Sequence, residues 1–260
     1  AYGASRDWIG GHCESFRTII SPEVYNDPDL PDTYHPEWFA NSARQICLTN
    51  TELIAEFIKN TIALVEENPY GMYVNIAEED MAGMCQCSAC KNEINTYGMS
   101  GYIVRFCNQI VSAVEEWREE NCPERELKYV TFAYSSGSIH PPVRTNAQGE
   151  YEAIDSSVIP HEKLYIRLTP IMYCYSHAFE DENCQINAAF RADIRGWQAL
   201  TDHFMVYDYA ANYNHYFMFF NDYDSLVPNL RMYKEIGVVN ILRQNATGSS
   251  VRMFGDLYNY

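Results

Sequence analysis

Long apolar runs are missing from this chain. No stretch of about 18 or more hydrophobic residues occurs, so no membrane-spanning helix is expected. Basic side chains are scarce: 18 Lys and Arg stand against 35 Asp and Glu in 260 residues, a net charge of -17. That balance argues against a nucleic-acid partner, whose phosphates need clustered cations. It fits a neutral or cationic ligand. The opening residues, AYGASRDWIGG, have no charged n-region leading into an apolar one, so no signal peptide is visible. A leader removed earlier and a chain that begins inside a longer polypeptide are both open. There is no Walker loop, no GxGxxG behind a strand and no GxSxG elbow. Nucleotide binding and serine-hydrolase chemistry therefore have no support in the sequence.

What is present is a folded composition, 47% hydrophobic and 20% charged. Twenty-one tyrosines serve core and surface packing, or offer apolar faces with a polar handle for stacking on sugars. Nine cysteines are many for a cytosolic enzyme, and the odd number leaves at least one outside any internal disulfides. Export and metal binding each explain the number.

Along the chain, apolar strands alternate with amphipathic helices. DWIGGHC (Asp7 to Cys13) looks like a strand ending at His12. Four prolines between residues 21 and 44 make that stretch a structured loop. Thr49 and Glu52 form a capping-box pattern at the start of a helix that carries Leu53, Phe57, Ile58, Ile62 and Val65 on one face. Asn68-Pro69 ends it. Met72 to Ala77 is the central strand. Tyr102 to Trp117 marks a second amphipathic helix. Lys128 to Tyr134, Leu164 to Ile171, Phe204 to Tyr209 and Val238 to Leu242 read as strands. A long loop holding His140, Pro141 and Pro142 follows the first of these. Helices are expected at about Ile186 to Leu200, at Ser225 to Ile236 with Pro228 in the first turn, and from Ser249 to Tyr258.

Repeated strand–loop–helix order means a parallel sheet. Polar residues gather just after the strands: His12, Glu78 to Asp80, Tyr134, Tyr173, Asp208, Arg243 and Gln244. The C-terminal rim is where α/β barrels place their chemistry. The expected fold is a (β/α)8 TIM-type barrel, incomplete here with about six of its eight strands. Residues 1–260 would form that single domain or the larger part of it.

The most distinctive stretch is VNIAEEDMAGMCQCSAC, Val74 to Cys90. An apolar strand ends in three adjacent acids and is followed by three closely spaced cysteines. With His12, HPEWFA (His35 to Ala40), QICLTN (Gln45 to Asn50), YCYSHAFEDENC (Tyr173 to Cys184), Trp197 and YDY (Tyr207 to Tyr209), it resembles the DUF4838 family over nearly the whole chain. The resemblance implies a glycoside-hydrolase-like TIM barrel, related in architecture to α-glucuronidases and β-hexosaminidases. It implies that these strands are the third to the eighth, with flanking barrel sequence or domains in a longer polypeptide, and a glycan partner. A secreted or extracytoplasmic location is expected, in keeping with the number of cysteines. The family often carries an acid after the last strand, where this chain has Arg243, Gln244 and Asn245.

Glycoside hydrolysis usually needs two carboxyl groups. If the strand runs that far, side-chain alternation puts Glu78 and Asp80 on one side and Glu79 on the other. Asp80 matches the family motif and is the first acid/base candidate, with Glu79 or Asp208 as its partner. The alternative is that these acids cap a helix or face solvent. His12, Tyr134, Tyr173, His177, Tyr209 and Gln244 are candidate sugar contacts; lone histidines are more often structural. Cys85, Cys87 and Cys90 have the spacing of thiolate ligands to zinc, with Cys174, His177 or Cys184 as the fourth. Disulfides within this set explain the spacing somewhat better, and plain buried thiols are the third reading. In each case the cysteines brace the loop beside Asp80, and no cofactor is expected for catalysis. Cys13, Cys47, Cys107 and Cys122 are expected in or near the core. Asn245-Ala-Thr247 matches a glycosylation sequon. A glycoside hydrolase acting on a uronic-acid or amino-sugar glycan is the leading expectation. Its rivals are a non-catalytic glycan-binding barrel and a metal-dependent hydrolase built on the cysteines.

Overall fold

A computed structural model describes residues 7–40, 45–80, 83–134, 137–213 and 220–244. Eight strands run in chain order: β1 (Trp8–Ile9), β2 (Tyr73–Asn75), β3 (Lys128–Ala133), β4 (Val143–Thr145), β5 (Tyr151–Ala153), β6 (Leu164–Leu168), β7 (Phe204–Tyr209) and β8 (Val238–Gln244). Six of them form one curled sheet in the order β1-β2-β3-β6-β7-β8. Every pairing in it is parallel. The described residues thus form an incomplete α/β barrel. The helices are α1 (Phe16–Ile19), α2 (Pro22–Tyr25), α3 (Thr51–Glu67), α4 (Ser88–Asn121), α5 (Ala188–Gln198) and α6 (Tyr223–Glu235).

Strands covered on both faces read as nearly continuous apolar runs, and β7, FMVYDY, is buried at every position. One face of the sheet packs outward on helices. Ile9, Val74, Tyr129 and Leu164 meet Leu53, Phe57 and Val65 of α3 and Phe106, Ile110 and Val114 of α4. Ile166, Leu168, Phe204 and Val206 join Phe190, Ile194 and Trp197 of α5 and Met232 and Tyr233 of α6. The other face holds a smaller cluster of Trp8, Val130 and Met205, edged by Tyr73 and Tyr165. Buried among them is Arg167, whose guanidinium stacks 4.2 Å over the Trp8 ring and donates to the His12 carbonyl at 2.6 Å. Burial lowers its pKa to about 10.

Several local expectations need correction. Strand β1 stops at Ile9, so His12 lies in the loop beyond it. The cap of α3 is Asn50, whose side chain accepts from the backbone N–H groups of Glu52 and Leu53. Thr49 instead points its hydroxyl at Cys90. Helix α4 begins at Ser88, well before Tyr102, and is broken at Gly98, which sits at φ 72, ψ 175, a conformation only glycine adopts freely. Pro228 is the sixth residue of α6, past its first turn. The loop after β3 contains the antiparallel hairpin β4–β5. The helix expected from Ser249 and the sequon at Asn245 lie outside the described residues.

Gly196 lets α5 rest on that hairpin: a Cβ there would come within 2.4 Å of the Pro141 ring. An alanine would regain up to about 1 kcal/mol of helix propensity but cost about 1–3 kcal/mol in overpacking. Gly196→Ala is therefore expected to lower the urea midpoint with an unchanged slope.

Candidate functional site at the carboxyl ends of the strands

Beyond the C-terminal ends of the parallel strands lies a cavity of about 360 Å³. Among the described residues three acids line it, Glu14, Glu78 and Asp80. Aromatic rings form much of the remaining wall: Phe132 and Tyr134 from the end of β3, Tyr207 and Tyr209 from β7, and Tyr213 beyond it. Cys13, Thr169, Ile171 and Gln244 complete the lining.

Strand β2 ends at Asn75, short of the expected Ala77, so the three acids lie in the segment beyond it and strand alternation does not set their directions. Glu78 and Asp80 line the cavity, while Glu79 does not. The Glu79 carboxylate turns back to accept the Arg17 backbone N–H at 2.8 Å, and its own carbonyl accepts from Gln45. That clamp fixes the backbone between the other two acids. Asp80 lines the cavity and is exposed. Glu78 is 3% exposed. Ser138 donates to its Oε1 at 2.8 Å, whereas Oε2 is buried without a hydrogen-bond partner. Burial pushes the Glu78 pKa up to about 7, with the hydrogen bonds opposing the rise and the Glu14 charge adding to it. A carboxyl group that still holds its proton near neutrality, inside a cleft, can deliver that proton to a leaving group.

Of the candidate sugar contacts, Tyr134, Tyr209 and Gln244 line the cavity. Gln244 lies beside Tyr209 in the β7–β8 register and accepts a hydrogen bond from Tyr207 at 2.8 Å. The other expected residues lie elsewhere. Asp208 points to the opposite face of β7, where it accepts from Tyr175 at 3.0 Å and sits 3.5 Å from Arg243. Arg243 also bonds Asp222. Tyr173 stacks on Phe190 and donates to Asp193 at 3.0 Å. His12 is exposed and joins the structure through its carbonyl; His177 is exposed beside Cys174. Residues that sequence reasoning missed are Glu14, two positions beyond His12, and Tyr207, which shares with Tyr209 the inward phase of β7.

All nine cysteines are free thiols. They do not assemble as expected. Cys85, Cys87 and Cys90 gather with Cys47, and these four sulfurs lie within 4.8 Å of one another. Cys174, His177 and Cys184 form a second, separate group. Cys47 belongs to the QICLTN segment, and nothing in the spacing of the chain links it to the other three. Four sulfurs at this range can hold a metal ion.

These features define an incomplete α/β barrel with a tyrosine-walled, carboxyl-bearing cavity at its C-terminal rim. The model of the family described as "Domain of unknown function (DUF4838)" matches residues 3–259, and the chain belongs to that family. No curated protein matches it. Among the described residues, no helix is long and apolar enough to cross a membrane.

Proposed function

We propose that this protein is a carbohydrate-active barrel of the glycoside-hydrolase type, with Glu78 as the proton donor and Asp80 as the second carboxyl group. The observation that carries the reading is the pairing of a buried, proton-retaining acid with an open one in a single rim cavity. Two carboxyl groups of unlike environment are what acid-assisted glycoside cleavage uses. Tyr134, Tyr207, Tyr209 and Tyr213 supply ring faces and hydroxyls of the kind that grip a sugar. A glycan substrate also fits export, the localisation we favour.

The lining narrows the substrate class. Three acids and no Lys or Arg border the cavity among the described residues. A uronate would place its own carboxylate in that acidic field without a cation to meet it. The cavity therefore favours a neutral or amino sugar over a uronic acid.

A panel of nitrophenyl glycosides, both anomers of neutral sugars and N-acetylhexosamines, tests the reading. Turnover of at least one by the wild-type chain, lost in Asp80→Asn, is the expected outcome. Undiminished turnover in Asp80→Asn removes that residue from the mechanism. A second reading, glycan binding without cleavage, has one observation in its favour: Gln244, an uncharged group, faces the cavity from the end of the last strand. Retention on a glycan array, abolished by Tyr209→Ala with every glycoside left intact, selects it.

A further inference from the structure

Cys47, Cys85, Cys87 and Cys90 come from three separate places. Cys47 precedes α3, Cys85 and Cys87 follow the rim acids, and Cys90 lies in the first turn of α4. Three of them are buried, with Cys87 at the surface. The Cys47 sulfur is 3.8 Å from that of Cys87 and 3.6 Å from that of Cys90. A disulfide needs sulfurs about 2.05 Å apart, so neither pair is bonded. Zinc–thiolate bonds of about 2.3 Å in a tetrahedron set neighbouring sulfurs about 3.8 Å apart. The two Cys47 distances match a tetrahedron's edge, and all four sulfurs lie within 4.8 Å of one another.

The surroundings point the same way. The Tyr102 hydroxyl donates to the Cys90 sulfur at 3.0 Å, and the Cys90 N–H donates to the Cys87 sulfur at 3.4 Å. The Thr49 hydroxyl lies 3.1 Å from the Cys90 sulfur. Tyr102 is itself held by the Leu48 N–H, so its proton is aimed at sulfur. Donors directed at sulfur offset the negative charge that several thiolates share around a divalent ion, and such outer partners orient the ligands.

We propose that Cys47, Cys85, Cys87 and Cys90 bind one zinc ion as a closed structural site. Each thiol gives up its proton on binding, and four sulfurs fill the tetrahedron. No position is left for water, so this metal braces the fold and does no hydrolysis. The site ties the segment that follows Asp80 to the starts of both α3 and α4. It stands independently of the glycoside reading, because its ligands are not cavity-lining residues. The Cys174, His177 and Cys184 group has three donors and serves as the internal control.

The test is metal analysis of the intact chain purified without chelator, beside the variants Cys47→Ser and Cys184→Ser. About one zinc per chain is expected in the wild type and in Cys184→Ser, and well under half of that in Cys47→Ser. Cys47→His, which supplies a nitrogen ligand, should restore zinc binding if the serine variant fails to fold. Cobalt exchanged into the wild type should give the visible and near-ultraviolet absorption of a tetrahedral tetrathiolate, and Cys47→His should shift it. A metal-free chain, a disulfide joining any two of the four cysteines, or zinc that follows Cys184 and ignores Cys47 overturns the proposal.

Discussion

Glu78→Gln is expected to reduce turnover of any nitrophenyl glycoside the protein cleaves by about 10²- to 10⁴-fold, the usual worth of a positioned general acid, while making the protein more stable above pH 7. Both effects come from one cause. The Glu78 carboxyl has been moved out of water, and its pKa rises from 4.5 to about 7. The folded state therefore holds this proton more tightly than the unfolded chain does. Between pH 4.5 and about 7, the unfolded state releases the proton first, so this group's contribution to stability falls as pH rises. Above pH 7 the penalty is complete, at about 3 kcal/mol for a shift of this size. Glutamine keeps the shape and an oxygen for Ser138 but carries no charge, so it escapes that penalty. The wild-type rate should fall as pH passes about 7, where the acid loses its proton, and that limb should be missing from the residual activity of the variant. A thermal-melt series from pH 5 to 9, run beside the pH–rate profile, reads both halves. A variant that retains full activity, or one that is less stable than wild type at pH 8, contradicts this account.

That trade between activity and stability was only partly visible in the amino-acid sequence. The strands were legible because a parallel sheet covered on both faces favours nearly continuous apolar and aromatic runs, as in KYVTFA and FMVYDY. The run of acids after β2 was legible, but not which way each faces, because the strand ends at Asn75 and contacts to Arg17 and Gln45 turn Glu79 aside. The β4–β5 hairpin was not, since its strands have three residues each and lie partly exposed, without an apolar pattern to mark them. Cys47 was overlooked for another reason. It lies 40 residues from Cys87, and only the fold brings the two together. The value of Glu78 as an acid was also hidden. It depends on how deeply the residue is buried and on Ser138, 60 positions away. Asp208 shows the opposite error. The period of two along Tyr207, Asp208 and Tyr209 already separates it from the inward-facing tyrosines.

Asp208 consequently carries the second large prediction, which concerns stability and not turnover. Asp208 is 5% exposed, its carboxylate held by the Tyr175 hydroxyl and Arg243 behind the sheet. Tyr233, whose hydroxyl is buried without a hydrogen-bond partner, packs at the same site. Asp208→Ala removes the acceptor for Tyr175 and one of the two acids that face Arg243, leaving Asp222 to hold that cation alone. Removing one member of a buried ion pair costs about 3–5 kcal/mol; Asp222 keeps the expected loss near the lower end. Asp208→Asn should cost far less, because an amide oxygen still accepts from Tyr175. The pH dependence fixes the sign. Burial raises the Asp208 pKa in spite of the Arg243 charge, so ionisation weakens the folded state. The asparagine variant should therefore gain on wild type as pH rises from about 3 toward neutrality and fall behind it in acid. Both variants, assayed where they are folded, should cleave a nitrophenyl glycoside with kcat unchanged within about twofold. A loss of 100-fold or more in a stably folded Asp208→Asn protein would return this residue to the reacting centre and displace Glu78 from the pair, since a single cleavage needs only two carboxyl groups.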